Sequence, residues 1–138
     1  MQEASSKTRE AGGKTQVAGN MQHGWLVVRR WSCVVLWMGV IFWFSAQPKD
    51  ALNLGQSTLV SKLAHIIEYA ILGRLIQWAR GGRARPRAGW LSWLIAVLYA
   101  ATDELHQSFT PGRTPLVTDV MIDSFGAALG VGWAIWRS

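Results

Sequence analysis

Nine polar residues stand at spacings that suit chemistry: Lys62, His65 and Tyr69; Asp103, Glu104 and Gln107; Arg113; Asp119 and Asp123. At about 100° per helical residue, Lys62, His65 and Tyr69 share one narrow face, and Glu68 sits to its side next to His65. Asp103 and Gln107 share another face, above Tyr99 and Ala96, with Glu104 and His106 diverging to either side. Asp119, Asp123, Gly126, Gly130 and Trp133 form a single stripe. One chemistry open to this set is recognition: Arg113 and Lys62 holding an anionic head group while Tyr69 and Gln107 orient it. Another is catalysis, with His65 as general base, Asp119 or Asp123 orienting it, and Arg113 stabilising developing charge. A proton relay through the intramembrane His and Asp residues is a third, and plain cohesion of the helices is a fourth. The chain carries no dedicated nucleophile motif and no metal signature, and the His65-x-x-Glu68 spacing is too common to weigh. Binding is therefore expected ahead of catalysis, without metal or cofactor.

The elements that must position these residues are apolar runs. Val27–Ser45, Val60–Ala79, Ala88–Gln107 and Leu116–Trp136 each approach the ~20 residues that cross a bilayer. The links between them (46–59, 80–87 and 108–115) are short, which favours antiparallel neighbours in a bundle. Nothing alternates with period two, so strands are not expected. The expected fold is all-α: an integral-membrane four-helix bundle over residues 25–138, preceded by a disordered polar and basic tail over residues 1–24. Met21 offers an alternative start. Mean hydropathy is only +0.15, lowered by that tail and by nine Trp, which favour bilayer interfaces. The single Cys33 cannot form an intrachain disulfide and is expected to pack among apolar neighbours.

The net charge of +6 raises nucleic acid as a partner, and its distribution answers. With four alternating spans, Lys7, Arg9, Lys14, Arg29, Arg30, Arg80, Arg83, Arg85, Arg87 and Arg137 fall on one side; Lys49, Lys62 and Arg113 fall on the other. That bias places both termini in the cytoplasm of a multi-pass protein of a bacterial inner membrane. Trp25, Trp31, Trp78, Trp90, Trp93, Trp133 and Trp136 cluster near the same boundary. The basic charge is thus a topology signal with an attraction to membrane lipids, not a nucleic-acid footprint. Gly126-x-x-x-Gly130 marks a close helix approach, within the bundle or in an oligomer.

This topology gathers all nine polar residues at the extracytoplasmic end, with Tyr69 and Asp123 about 10 Å below the boundary by helical rise. A charge at mid-bilayer costs ~2.5–3.5 kcal/mol on insertion scales. Asp119 and Asp123 therefore need partners, for which Lys62, Arg113 and His65 are available. Lys62 and Arg113 face five carboxylates (Glu68, Asp103, Glu104, Asp119 and Asp123), a net of −3. Either some carboxyls hold protons or a cationic group completes the site.

Ser45-x-Gln47-Pro48, Lys62-x-x-His65-x-x-x-Tyr69, Asp103-Glu104-x-x-Gln107 with Pro111-Gly112-Arg113, and Asp119 with Gly126 together resemble the VanZ-like membrane proteins. The resemblance runs from Trp31 to Trp136. Asp123 departs from the family pattern, which usually has Asn there, and Pro115 stands where a small polar residue is common. The resemblance implies a small bacterial inner-membrane protein, of a family whose name-giving member is associated with low-level resistance to the glycopeptide teicoplanin. The expected ligand is an envelope lipid head group or a glycopeptide.

Overall fold

The structure is a computed structural model and describes residues 2–47, 58–81, 86–110 and 116–137. It contains four helices: α1 (Gln2–Ser45), α2 (Thr58–Ala79), α3 (Pro86–Gln107) and α4 (Val117–Trp136). Among the described residues there is no strand, so the all-α reading holds. Each apolar run ends where expected, at Ser45, Ala79, Gln107 and Trp136.

Local chemistry sets the boundaries. Gly81 has φ +99°, a left-handed conformation that a glycine just past a helix end takes without a Cβ penalty. Its N–H donates to the Trp78 carbonyl at 3.0 Å, which finishes α2. Pro86 opens α3 at the first helical position, where its missing N–H is not needed. Leu116, extended at φ −128° and ψ 124°, precedes α4 with no side-chain cap of its own.

One boundary differs from expectation. Helix α1 runs back to Gln2, through residues expected to form a disordered tail. Gln2, Glu3, Ala4, Lys7, Arg9, Glu10 and Ala11 are strong helix formers. Extending a helix already nucleated by the apolar run avoids the cost of a new nucleus.

Contacts between helices fix their directions. Trp37 and Glu68, then Arg30 and Trp78, meet across α1 and α2 in opposite order along the two helices. Ser92 meets Gln77 and Tyr99 meets Tyr69, so α3 also opposes α2. Gly126 lies against Ile66 and Gly130 against Ala70, rising in step, so α4 runs parallel to α2. The bundle is therefore up-down-up-down, as the short links require. Helix α2 is its centre, touching the other three, and its closest partner is α4.

The α2–α4 seam is built on missing side chains. A Cβ on Gly73 would stand 2.5 Å from the Ala127 carbonyl oxygen, and one on Gly126 would stand 2.5 Å from that of Ile66. A Cβ on Gly130 would run into the Ala70 carbonyl. The small-residue face expected to take another helix is thus filled by α2 of the same chain. Around the seam, Val34, Ile41, Leu72, Ile76, Ala96, Ala100 and Ala127 form the core. Three aromatic groups tie the helices by donating to carbonyl oxygens on neighbours: Trp37 Nε1 to Glu68 (3.0 Å), Trp93 Nε1 to Ser124 (3.1 Å) and Tyr99 OH to Met38 (2.6 Å). Each carbonyl has a second lone pair to spare beyond its helical bond.

Much of the remaining surface is apolar. Leu36, Trp43, Ile67, Leu98, Met121 and Phe125 are all exposed, and they come from all four helices. Cys33 is exposed too, on the outer face of α1 rather than packed inside. Among the described residues one helical stretch, Met21–Ser45, is long and apolar enough to cross a membrane by length and composition. Helix α2 carries Lys62 and Glu68, α3 carries Asp103 and Glu104, and α4 carries Asp119, and these ionisable residues lower their hydropathy.

Candidate functional site

The C-terminal ends of α1 and α3 and the N-terminal ends of α2 and α4 meet at one end of the bundle. Their side chains form two linked polar groups there. In the first, Ser45 Oγ donates to Asp103 Oδ2 at 2.8 Å. Gln107 Nε2 donates to the same Oδ2 at 3.1 Å and approaches Ser45 Oγ at 2.5 Å. The i, i+4 spacing of Asp103 and Gln107 on α3 makes this possible, and Ser45 closes it from the last turn of α1. All three residues are buried.

In the second group, His65 Nδ1 lies 3.0 Å from Asp123 Oδ1. Helices α2 and α4 approach closely here because Gly126, one turn along α4, admits the α2 backbone at Ile66. Asp123 is buried, and His65 keeps 16% of its side chain exposed. With Nδ1–H donating to the carboxylate, Nε2 presents a lone pair to whatever lies beyond. Asp123, rather than Asp119, orients the imidazole. Asp119 is half-buried in the first turn of α4, where a carboxylate suits the positive end of the helix.

Glu104 adds to the second group. Its Oε1 accepts the Leu116 backbone N–H at 2.6 Å, satisfying one of the orphan amides at the start of α4. Its carboxyl lies within electrostatic range of Asp119, Asp123 and His65. Tyr69, fully buried, lies within the same range of Asp103, Asp123 and Glu68. Side chains from all four helices, Ser45 of α1 included, thus share one polar region.

Three oxygens in it have no hydrogen-bond partner among the described residues: the Tyr69 hydroxyl, Asp103 Oδ1 and Glu104 Oε2. Tyr69, Asp103 and Glu104 are respectively 0%, 2% and 7% exposed. Most buried polar atoms in folded proteins are paired, so three on one cluster call for a ligand or a function. His106, expected to diverge from the face, does so: its ring stacks on Phe42 with centroids 4.0 Å apart.

Two expected members stand apart. Lys62 is exposed, because residues 59–63 all project beyond the packed part of the bundle. The buried Asp123 is accordingly paired with His65 and not with Lys62. Arg113 lies outside the described residues, as do Pro111, Gly112 and Pro115. Ser45 was not singled out as a site residue. Its signal was its place at the end of the first apolar run, at the depth of Asp103.

The opposite end holds a second polar cluster that the sequence reading missed. Arg80 Nη1 donates to Ser92 Oγ at 3.0 Å, and Ser92 Oγ donates to Gln77 Oε1 at 2.7 Å. Gln77 and Ser92 are buried. Their only sequence signal is that Gln77 and Arg80 share a helix face at i, i+3. Nearby, the Arg30 guanidinium lies over the Trp78 ring, 5.3 Å from its centroid, although its Nε has no hydrogen-bond partner among the described residues.

Comparison with known proteins bears on the whole bundle. No curated protein and no solved structure matches the chain significantly. A family model described as VanZ/LLP1 matches residues 30–137, from Arg30 on α1 to Arg137 just past the end of α4. That span takes in every described residue of both polar clusters, and the chain belongs to the VanZ/LLP1 family.

Proposed function

We propose that the chain is a multi-pass protein of a bacterial inner membrane, with both termini cytoplasmic, that binds an envelope lipid head group or a glycopeptide. The binding region is the end of the bundle formed by Ser45, His65, Tyr69, Asp103, Glu104, Gln107, Asp119 and Asp123, facing the extracytoplasmic leaflet. Arg113 and Lys62 supply its positive charge. The observation that carries this reading is the set of buried, unpartnered oxygens on Tyr69, Asp103 and Glu104. A cluster that served cohesion alone would close its hydrogen bonds internally.

Two features support the membrane setting. Large apolar side chains are exposed on all four helices, a surface that lipid covers without cost and water does not. Arg30, Arg80 and Arg137 lie at the end opposite the carboxylates, in keeping with a positive cytoplasmic side.

The test is a thermal-shift screen of the detergent-purified protein against envelope lipids and lipoglycopeptides, repeated with Arg113→Ala and Asp119→Ala. A stabilising ligand whose effect shrinks in both variants is the expected result. Equal shifts in all three proteins would overturn the proposal.

The His65–Asp123 pair favours a second reading, an intramembrane enzyme acting on the phosphate or ester of a lipid carrier. A carboxylate that orients an imidazole is the arrangement a general base requires. Turnover of isoprenoid-phosphate lipids that His65→Gln abolishes would establish it. Absence of turnover by the unaltered protein, with and without divalent ions, would dismiss it.

A further inference from the structure

We propose that the ligand presents a primary ammonium group to the polar end of the bundle, where Asp103, Glu104 and Tyr69 each carry a buried oxygen without a partner among the described residues. This deepens the binding reading above and rests on it. Two of the three unpartnered oxygens there belong to carboxyl groups, and the third, the Tyr69 hydroxyl, can accept through its lone pairs as well as donate. A protonated primary amine offers three N–H donors and one positive charge and no acceptor, and so complements such a set.

The charge around it points the same way. Asp119 and Asp123 lie within electrostatic range of Glu104, and Asp103 lies within range of Tyr69 and Asp123. The facing imidazole of His65 is already engaged by Asp123. An anionic group placed among these carboxylates would be repelled at close quarters. A phosphate on the same ligand fits farther out, toward exposed Lys62, with the amine inward. A divalent metal ion fits less well, because among the described residues no three carboxylate, imidazole or thiol groups converge to hold one. A quaternary ammonium also fits less well. It has no N–H to donate and is held best by the faces of aromatic rings, whereas the groups left unpaired here are oxygens.

Two sources carry this chemistry: an aminolipid head group such as phosphoethanolamine, and an amino sugar. The test uses the full chain in detergent, titrated with short-chain (dihexanoyl) phosphatidylethanolamine, phosphatidylcholine and phosphatidylglycerol, and with glucosamine, by thermal shift. Phosphatidylethanolamine is expected to stabilise the protein, and phosphatidylcholine and phosphatidylglycerol are not. Glu104→Gln and Asp103→Asn, which keep the shape of each side chain, should weaken that stabilisation about tenfold or more. Should either variant fail to fold, the ethanolamine-over-choline preference of the unaltered protein decides alone. Stabilisation by glucosamine and not by the aminolipid upholds the amine and assigns its source to a sugar. Stabilisation by phosphatidylglycerol that Arg113→Ala removes overturns the amine while leaving head-group binding intact. If none of the four probes moves the melting temperature and no lipoglycopeptide does, the amine and the binding reading both fall.

Discussion

The two ends of this bundle solve the same problem differently. Each buries polar side chains where helices meet. At the Gln77–Ser92–Arg80 end, guanidinium, hydroxyl and amide form a chain running donor to acceptor, three groups deep. At the other end, Asp103 Oδ2 takes two hydrogen bonds while Oδ1 takes none, and Glu104 and Tyr69 likewise keep an oxygen unpaired. The first cluster is a fastening. The second holds unused hydrogen-bonding capacity in a low-dielectric setting, where an unpaired polar group costs about 1–3 kcal/mol. A chain that has folded one satisfied cluster shows that the fold does not forbid satisfaction, and the unsatisfied one is where we propose that a ligand binds.

Substitutions test this contrast, and the largest effect belongs to the seam both ends share. Gly130→Leu places a side chain against the Ala70 backbone, which cannot move without parting α2 from α4. A loss of about 3 kcal/mol or more is expected, read as failed expression or a collapsed melting transition in detergent. Gly132→Ala, with open space at its Cβ, should melt like the parent. If Gly130→Leu melts like the parent as well, the seam does not hold the two ends together and they must be judged apart.

Next comes the His65–Asp123 pair. Asp123→Ala leaves the imidazole Nδ1 without an acceptor and should cost about 2 kcal/mol. Asp123→Asn keeps an oxygen for that N–H and should cost less than half as much. Equal losses would mean that the carboxylate charge, not the hydrogen bond, holds the pair. Ser92→Ala, at the fastened end, should cost about 1 kcal/mol and leave ligand binding untouched. A loss of binding in Ser92→Ala would blur the two ends into one network.

How much of this was legible in sequence depends on what each feature requires. The helix ends at Ala79, Gln107 and Trp136 were legible because apolar runs stop abruptly at polar or glycine-rich residues. The parallel α2–α4 contact was half legible: the Asp119–Asp123–Gly126–Gly130 stripe named the α4 face, but nothing named Ile66 and Ala70 as its counterpart. His65, Tyr69, Asp103 and Asp123 were legible because an ionisable or hydroxyl group in an apolar run is costly. Lys62 misled for a physical reason: helical periodicity gives direction about the axis but not how far along it the neighbours reach. Gln77 and Ser92 were missed, and Ser45 was read only as part of a family motif, because small or neutral polar residues cost little in an apolar run. Only their partners reveal them.

The smallest expected effect is the most decisive one. In Glu104→Gln, the carbonyl oxygen can still receive the Leu116 N–H, and the amide replaces only the oxygen that had no partner. In Asp103→Asn, one oxygen likewise remains for Ser45 and Gln107. Each change removes a charge from an acidic, buried cluster, so stability should hold within about 0.5 kcal/mol or rise. That pattern, in which a buried polar residue is replaced at no structural cost, is the mark of a group retained for what it binds. Measured beside Ser92→Ala under one detergent condition, the three melting temperatures rank the two ends directly. If Glu104→Gln and Asp103→Asn fall as far as Ser92→Ala, both carboxyls are fastenings like the hydroxyl at the far end, and the case for a site between them is lost.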